Sequence, residues 1–332
     1  MPNSENAALS NESVQDAYGA WVSEDDLKRS LERLRQRPLQ PNEGLFGPGS
    51  MFWEVNRHAL VYFPGAVQAV QMQLAHPWIA TAVFEHSKIM TNPRRRAQLT
   101  YIYLWSIIYG DVESAVKKSY SLYRLHTRVQ GTLPAEAGRF PAGSTYAANE
   151  ANALLWVHVT AFYTRVHLYE RLVQPLTQEE KDSFCDDARV YAHCFGIPAD
   201  KHPRDWNAVE AYVAAMQASD ALAPTDAGLT ISRFLRDSIP RPLRSAVWTF
   251  LCLSLPERTR HILELPGDSA ANQARFRRIL WMLERLQRLL PARLTNVPAY
   301  SEAQRRLAGK AGPGWLTGVL NRLLLGIPRL VS

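Results

Sequence analysis

The stretch NALLWVHVTAFYTRVHLYERLV, residues 152–173, has no glycine and no proline. It places Leu154, Leu155, His158 and Phe162 on one face at helical spacing. It reads as one of the longest helices of the chain, and the segments around it read the same way. Ser23 with Asp26 forms a capping box that opens a helix to about Arg37, stopped by Pro38 and Pro41. MFWEVNRHALVYF follows the Gly-Pro-Gly turn at 47–49, and after Pro64 and Gly65 a long apolar helix is expected, divided by Pro77 just beyond His76.

Asn92 and Pro93 begin the next helix and Gly110 ends it; Asp111 caps the helix that carries His126. A polar loop with Gly131, Pro134, Gly138, Pro141 and Gly143 separates it from the long helix. Thr177 with Glu180 is a second capping box, for a helix reaching Cys194 and closed by Gly196. Further helices are expected near 205–218, 226–237, 241–254, 270–290 and 301–309. Period-2 runs of Val, Ile and Thr are missing and there is no repeat, so the expected fold is all-α, one large helical domain of about a dozen helices.

Composition narrows the function classes. A chain of 332 residues with 46% hydrophobic content can bury a sizeable core. The net charge of +7 comes from arginines spread along the sequence, without interleaved aromatics or a nucleic-acid motif, so no nucleic-acid partner is expected. Cys185, Cys194 and Cys252 have no CxxC spacing, which argues against a disulfide framework and for a reducing compartment. MPNSENAALSNESVQDAYGAW has no basic n-region or apolar h-region, and the apolar runs 99–109 and 246–255 are short for a bilayer, so a soluble, cytoplasmic protein is expected. In the tail, Trp315, Leu316, Val319, Leu320, Leu323 and Leu324 form an apolar stripe beside Arg322 and Arg329. Packing on its own domain and weak contact with a membrane surface both fit that pattern.

No GxSxG, P-loop, GxGxxG or HExxH is present. Glu54 with His58 and Glu257 with His261 are each one residue too long for the Glu-x-x-His of a di-iron bundle. The remaining chemistry lies in His76, His86, His126 and His158, all on apolar-looking faces. In SLYRLHTRVQG, residues 121–131, Leu122, Leu125, His126 and Val129 share helical spacing, so the His126 ring is expected to be buried. Burial suits a core histidine hydrogen-bonded to a carbonyl as well as a metal ligand. Arg96 and Thr100, four apart in NPRRRAQLTYIY, could jointly address an anion or bound oxygen; a solvated run of arginines is the plainer reading.

Together, GPGSMFWEV, QLAHPWIATAVFEHS, the Arg96-x-x-x-Thr100 helix, HTRVQGTLP, the Tyr146-Ala-Ala-Asn149 turn and LLWVHVT resemble the MpaB and latex-clearing-protein (rubber oxygenase) family. The likeness covers roughly residues 45–220 well and the later helices loosely. It implies a globin-like helical core holding haem b, and the use of dioxygen to cleave carbon-carbon double bonds in an isoprenoid chain. The family's His-x-x-Val-Arg motif falls on His126 to Gln130, with Gln130 in place of arginine. Its Arg-x-x-Lys-Thr group falls on Arg96, Leu99 and Thr100, with Leu99 in place of lysine.

The resemblance therefore implies His126 as the iron ligand, His158 and His76 as cofactor-pocket residues, and Arg96 and Thr100 as catalytic groups acting on an apolar, unsaturated small molecule. Trp105 and Phe162 would wall the pocket. The expected organisation is an N-terminal arm and helix (1–45), an oxygenase-like core (46–220), packed C-terminal helices (221–310) and a basic amphipathic tail (311–332). Non-haem iron held by two or more of the four histidines is the alternative on the same fold. A helical carrier of lipid or isoprenoid, its histidines structural, is the non-enzymatic alternative.

Overall fold

A computed structural model describes residues 18–37 and 42–330. Among the described residues there are sixteen α-helices and one two-stranded sheet, so the fold is all-α as expected. The helices are α1 (Glu24–Arg35), α2 (Met51–Arg57), α3 (Ala59–Leu74), α4 (Pro77–His86), α5 (Pro93–Tyr109), α6 (Val112–His126), α7 (Ala151–Leu172) and α8 (Gln178–His193) in the first part. They continue as α9 (Trp206–Ala218), α10 (Asp226–Asp237), α11 (Arg241–Leu253), α12 (Glu257–Ile262), α13 (Ala270–Leu289), α14 (Ala292–Thr295), α15 (Pro298–Leu307) and α16 (Trp315–Leu325). The count exceeds a dozen because short turns such as α12 and α14 have no strong periodicity to announce them.

Local chemistry sets most boundaries. Both capping boxes form: Ser23 with Asp26 opens α1, and Thr177 with Glu180 opens α8. Asn92 and Asp111 accept from backbone N–H groups to start α5 and α6. Helix α1 ends at Arg35; Pro38 and Pro41, expected to stop it, lie outside the described residues.

Pro64 is a correction, because it sits inside α3 and not before it. The break falls earlier, at His58, whose extended backbone caps α3. Tertiary bonds hold His58 there: its ring lies 3.2 Å from Glu54 Oε1 and 2.7 Å from Gln287 Nε2, and its backbone bridges to Asn296. The structure thus uses Glu54 and His58 as a packing pair.

Helix α7 is the spine. Leu154, Trp156, Val159, Phe162, Val166 and Tyr169 are all buried, each such side chain contributing about 1.5–3 kcal/mol by leaving water. It lies along α3 so closely that a Cβ on Gly65 would meet Arg165 Cγ at 2.9 Å. Thr164 Oγ1 donates to the Gly65 carbonyl at 2.9 Å, and Gln73 Nε2 donates to Thr160 Oγ1 at 3.0 Å, fixing the same crossing. Arg165, buried and without a carboxylate partner among the described residues, donates to Asn56 Oδ1 at 2.8 Å and stands 4.2 Å over the Tyr62 ring. A second, small apolar cluster of Leu74, Ala80, Ile231 and Leu263 joins the end of α3 to α4, α10 and α12. Cys185, Cys194 and Cys252 are free and buried. Among the described residues no helix is long and apolar enough to cross a membrane.

Candidate functional site

Helix α5 presents Arg96 one turn in from its Asn92 cap. The Arg96 Nε–H donates to Ser87 Oγ at 3.1 Å, and an Nη–H donates to Thr100 Oγ1. The Thr100 hydroxyl in turn donates to the Arg96 carbonyl at 3.0 Å. The four-residue spacing thus delivers a paired guanidinium and hydroxyl, and burial lowers the Arg96 pKa from its usual value. Arg94 and Arg95 beside it are exposed, so the solvated reading holds for them.

His126 is the last residue of α6, and the chain leaves the helix at Thr127. The expected apolar stripe is therefore only partly formed. Leu122 is buried, but Leu125 is exposed, and Val129 is held by a turn bond from its N–H to the His126 carbonyl at 2.9 Å. The residue as a whole is half-buried, with its ring turned away from water. Burial first, then the Arg96 charge, press its pKa down to about 4, while a hydrogen bond with Asn149 works in the opposite direction. The Asn149 side chain therefore lies alongside the imidazole as its polar neighbour.

Asn149 reaches His126 because of a hairpin that the sequence did not announce. Strands β1 (Gln130–Thr132) and β2 (Thr145–Ala147) pair antiparallel inside the expected polar loop, with Gly131 opposite Tyr146. Only glycine fits there, since a Cβ on Gly131 would meet Tyr146 Oη at 2.5 Å. The Tyr146 hydroxyl donates to Glu85 Oε2 and lies 3.1 Å from His86 Nε2. Beyond β2, Asn149 gives its carbonyl to the Val22 N–H at 2.9 Å. Glu150 caps α7 by accepting from Ala153 N–H at 2.7 Å, and also accepts from Gly19 N–H at 3.3 Å.

Arg96, Thr100, His126 and Asn149 therefore come together, joined by Ser87. His76 and His158 have other partners. His76 is fully buried, 3.0 Å from the Tyr18 hydroxyl and packed on Phe140, and desolvation lowers its pKa to about 3. His158 pairs with His202 and packs on Phe162 and Tyr191. His86 is an exposed residue, in contrast to its expected burial. Trp105 and Phe162 are buried within separate aromatic groups: Trp105 stacks on Tyr101, and Phe162 packs on Phe52 and Phe184. Leu99 and Gln130 are exposed.

Sequence reasoning gave Ser87, Glu85 and Asn149 no role. Asn149 had one signal available, its place immediately before the cap of the longest helix. A cavity of about 450 Å³ between α1 and α8, lined by Arg33, Arg37, Asp186, Arg189 and His193, shares no residue with this group. Its charge suits an anion and not an apolar molecule.

Residues 53–285 match the family described as ER-bound oxygenase mpaB/B'/rubber oxygenase, catalytic domain. A solved structure of latex clearing protein in the closed state aligns with 84% of this chain and 72% of its own, at 15% identity and a TM-score of 0.49. No curated protein sequence matches the chain. On the span of that catalytic-domain match, the chain belongs to the mpaB and rubber-oxygenase family and is an oxidoreductase of the oxygenase class.

Proposed function

We propose that the protein is a haem-dependent oxygenase that uses dioxygen on an unsaturated, apolar small molecule, with His126 as the iron ligand. The observation that carries this reading is the state of the His126 ring. Burial and the neighbouring Arg96 charge hold it neutral, with the Asn149 side chain beside it as a polar partner. A neutral imidazole is the form that ligates iron, so His126 suits the part of haem ligand. When bound, that group would supply the redox chemistry with dioxygen. The chain's own residues would then position and screen: Asn149 orients His126, and Ser87 and Thr100 hold the Arg96 guanidinium in place. Arg96 and Thr100 would offer positive charge and a hydrogen-bonding edge to developing negative charge on oxygen.

Absorption spectroscopy with metal content tests it. The purified or haem-reconstituted protein is expected to show a Soret band that His126→Ala loses. A well-folded wild type that stays colourless after reconstitution and holds no iron would overturn the reading. The non-haem alternative has less behind it, because His76, His86, His126 and His158 each have a different partner, Tyr18, Tyr146, Asn149 and His202. Membership in a catalytic-domain family removes the motive for a purely carrying role.

A further inference from the structure

Helix α13 is twenty residues long and buries none of them fully. Its inner side, Phe276, Ile279, Leu280 and Leu283, packs partly buried against the core, with Phe276 stacked on Phe250 of α11 at 5.7 Å. The opposite side is apolar as well. Trp281 is 55% exposed, Met282 52% and Leu289 80%, with Leu286 between them. Helix α11, packed against α13, adds exposed Leu243 and Val247 one turn apart, and Leu294 follows in α14. Scattered exposed leucines are ordinary, but a ridge of Trp, Met and Leu along one uncovered helix face marks a contact surface.

The charge around the ridge narrows the partner. From Ser269 to Tyr300 the chain carries Arg275, Arg277, Arg278, Arg285, Arg288 and Arg293 against the single acid Glu284. Arg285 stands over the Trp281 ring, 4.4 Å from its centroid, so the indole and a guanidinium share one position on the surface.

We propose that the outer face of α13, with the adjoining edge of α11, docks on an anionic lipid surface. The indole and aliphatic side chains would enter the boundary between headgroups and acyl chains while the arginines contact phosphates. A second copy of the chain is a poor occupant, since a two-fold contact would lay the arginine stripe against itself. The contact proposed is a peripheral one, made by a helix face lying along the surface. It is a different place from the tail helix α16, whose Trp315 is 84% exposed.

Flotation of the full-length protein tests the proposal, with vesicles of phosphatidylcholine alone and with about 30% phosphatidylserine. Binding is expected only with the anionic lipid, falling as salt rises. Trp281→Glu combined with Leu289→Glu should lower partitioning on the order of tenfold or more with an unchanged circular-dichroism melt. Should that variant misfold, Arg278→Gln with Arg285→Gln keeps the ridge and is expected to weaken anionic binding and flatten its salt dependence. Wild type that ignores anionic vesicles would overturn the assignment. So would loss of binding in Trp315→Glu with none in the Trp281 and Leu289 variant, or a dimer in sedimentation that the ridge substitutions dissociate. These readouts do not depend on iron or turnover, so they stand apart from the oxygenase reading.

Discussion

His158 and His202 face each other through their Nε2 atoms at 2.8 Å, both buried. The proton positions follow from the next bond. His202 Nδ1 lies 3.0 Å from the Pro203 carbonyl and must donate to it, so in the neutral ring His202 Nε2 is bare. His158 Nε2 is then the donor of the pair. The interaction ties α7 to the loop between α8 and α9.

His202→Ala is therefore expected to leave the His158 N–H buried without an acceptor, at about 1–3 kcal/mol of stability. His202→Gln, which keeps an acceptor, should recover part of that. Denaturant midpoints for the two variants check it; an unchanged midpoint in His202→Ala would show the pair to be energetically idle.

Stability should fall with acid in a defined window. Burial lowers the folded pKa of His76 to about 3 and of His202 to about 4, and holds His158 well below the usual value. Unfolded histidine titrates near about 6.5, so between there and about 4 the unfolded chain binds protons that the folded chain refuses. The contribution is fully present above the unfolded value and is lost as pH falls toward the folded values, at up to about 1.4 kcal/mol per pH unit for each histidine. Urea melts at pH 7, 6 and 5 should show declining midpoints; a flat profile would contradict the burial of these rings.

Asn149→Leu removes the polar side chain beside His126. If haem binds there, its affinity should fall by about 10–100-fold, with Asn149→Asp closer to wild type. Haem titration followed at the Soret band measures this. Equal uptake by Asn149→Leu and wild type would deny Asn149 its orienting role.

Gly65→Ala should cost about 1–3 kcal/mol. The new methyl would meet Arg165 Cγ at 2.9 Å, and Arg165 is pinned by Asn56 and Tyr62, so it has little room to yield. Thermal melting should show a fall of several degrees. A neutral result would mean that the crossing of α3 and α7 relaxes.

Much of the helical framework was legible because its signals are local. Ser23 with Asp26, Thr177 with Glu180, Asn92 and Asp111 each act within one turn, so their residue types announce the boundaries. Pro64 misled because the break at His58 depends on Gln287 and Asn296, more than two hundred residues away. The Arg96 and Thr100 pair was readable from spacing four. The His126 environment was not, since Leu125 is exposed although helical and Val129 lies beyond the helix end at His126. Its partner Asn149 arrives through a hairpin whose three-residue strands are too short to show alternation.

That hairpin acts as a ruler. His126 lies four residues before β1 and Asn149 two after β2, so the pairing of Gln130 with Ala147 sets how far apart they stand. A one-residue slip would turn Tyr146 to the opposite side, away from Glu85, and carry Asn149 past the imidazole. An insertion or deletion within either strand should thus separate His126 from Asn149, while the 134–143 segment is anchored independently by Ala137 and Phe140 in the core.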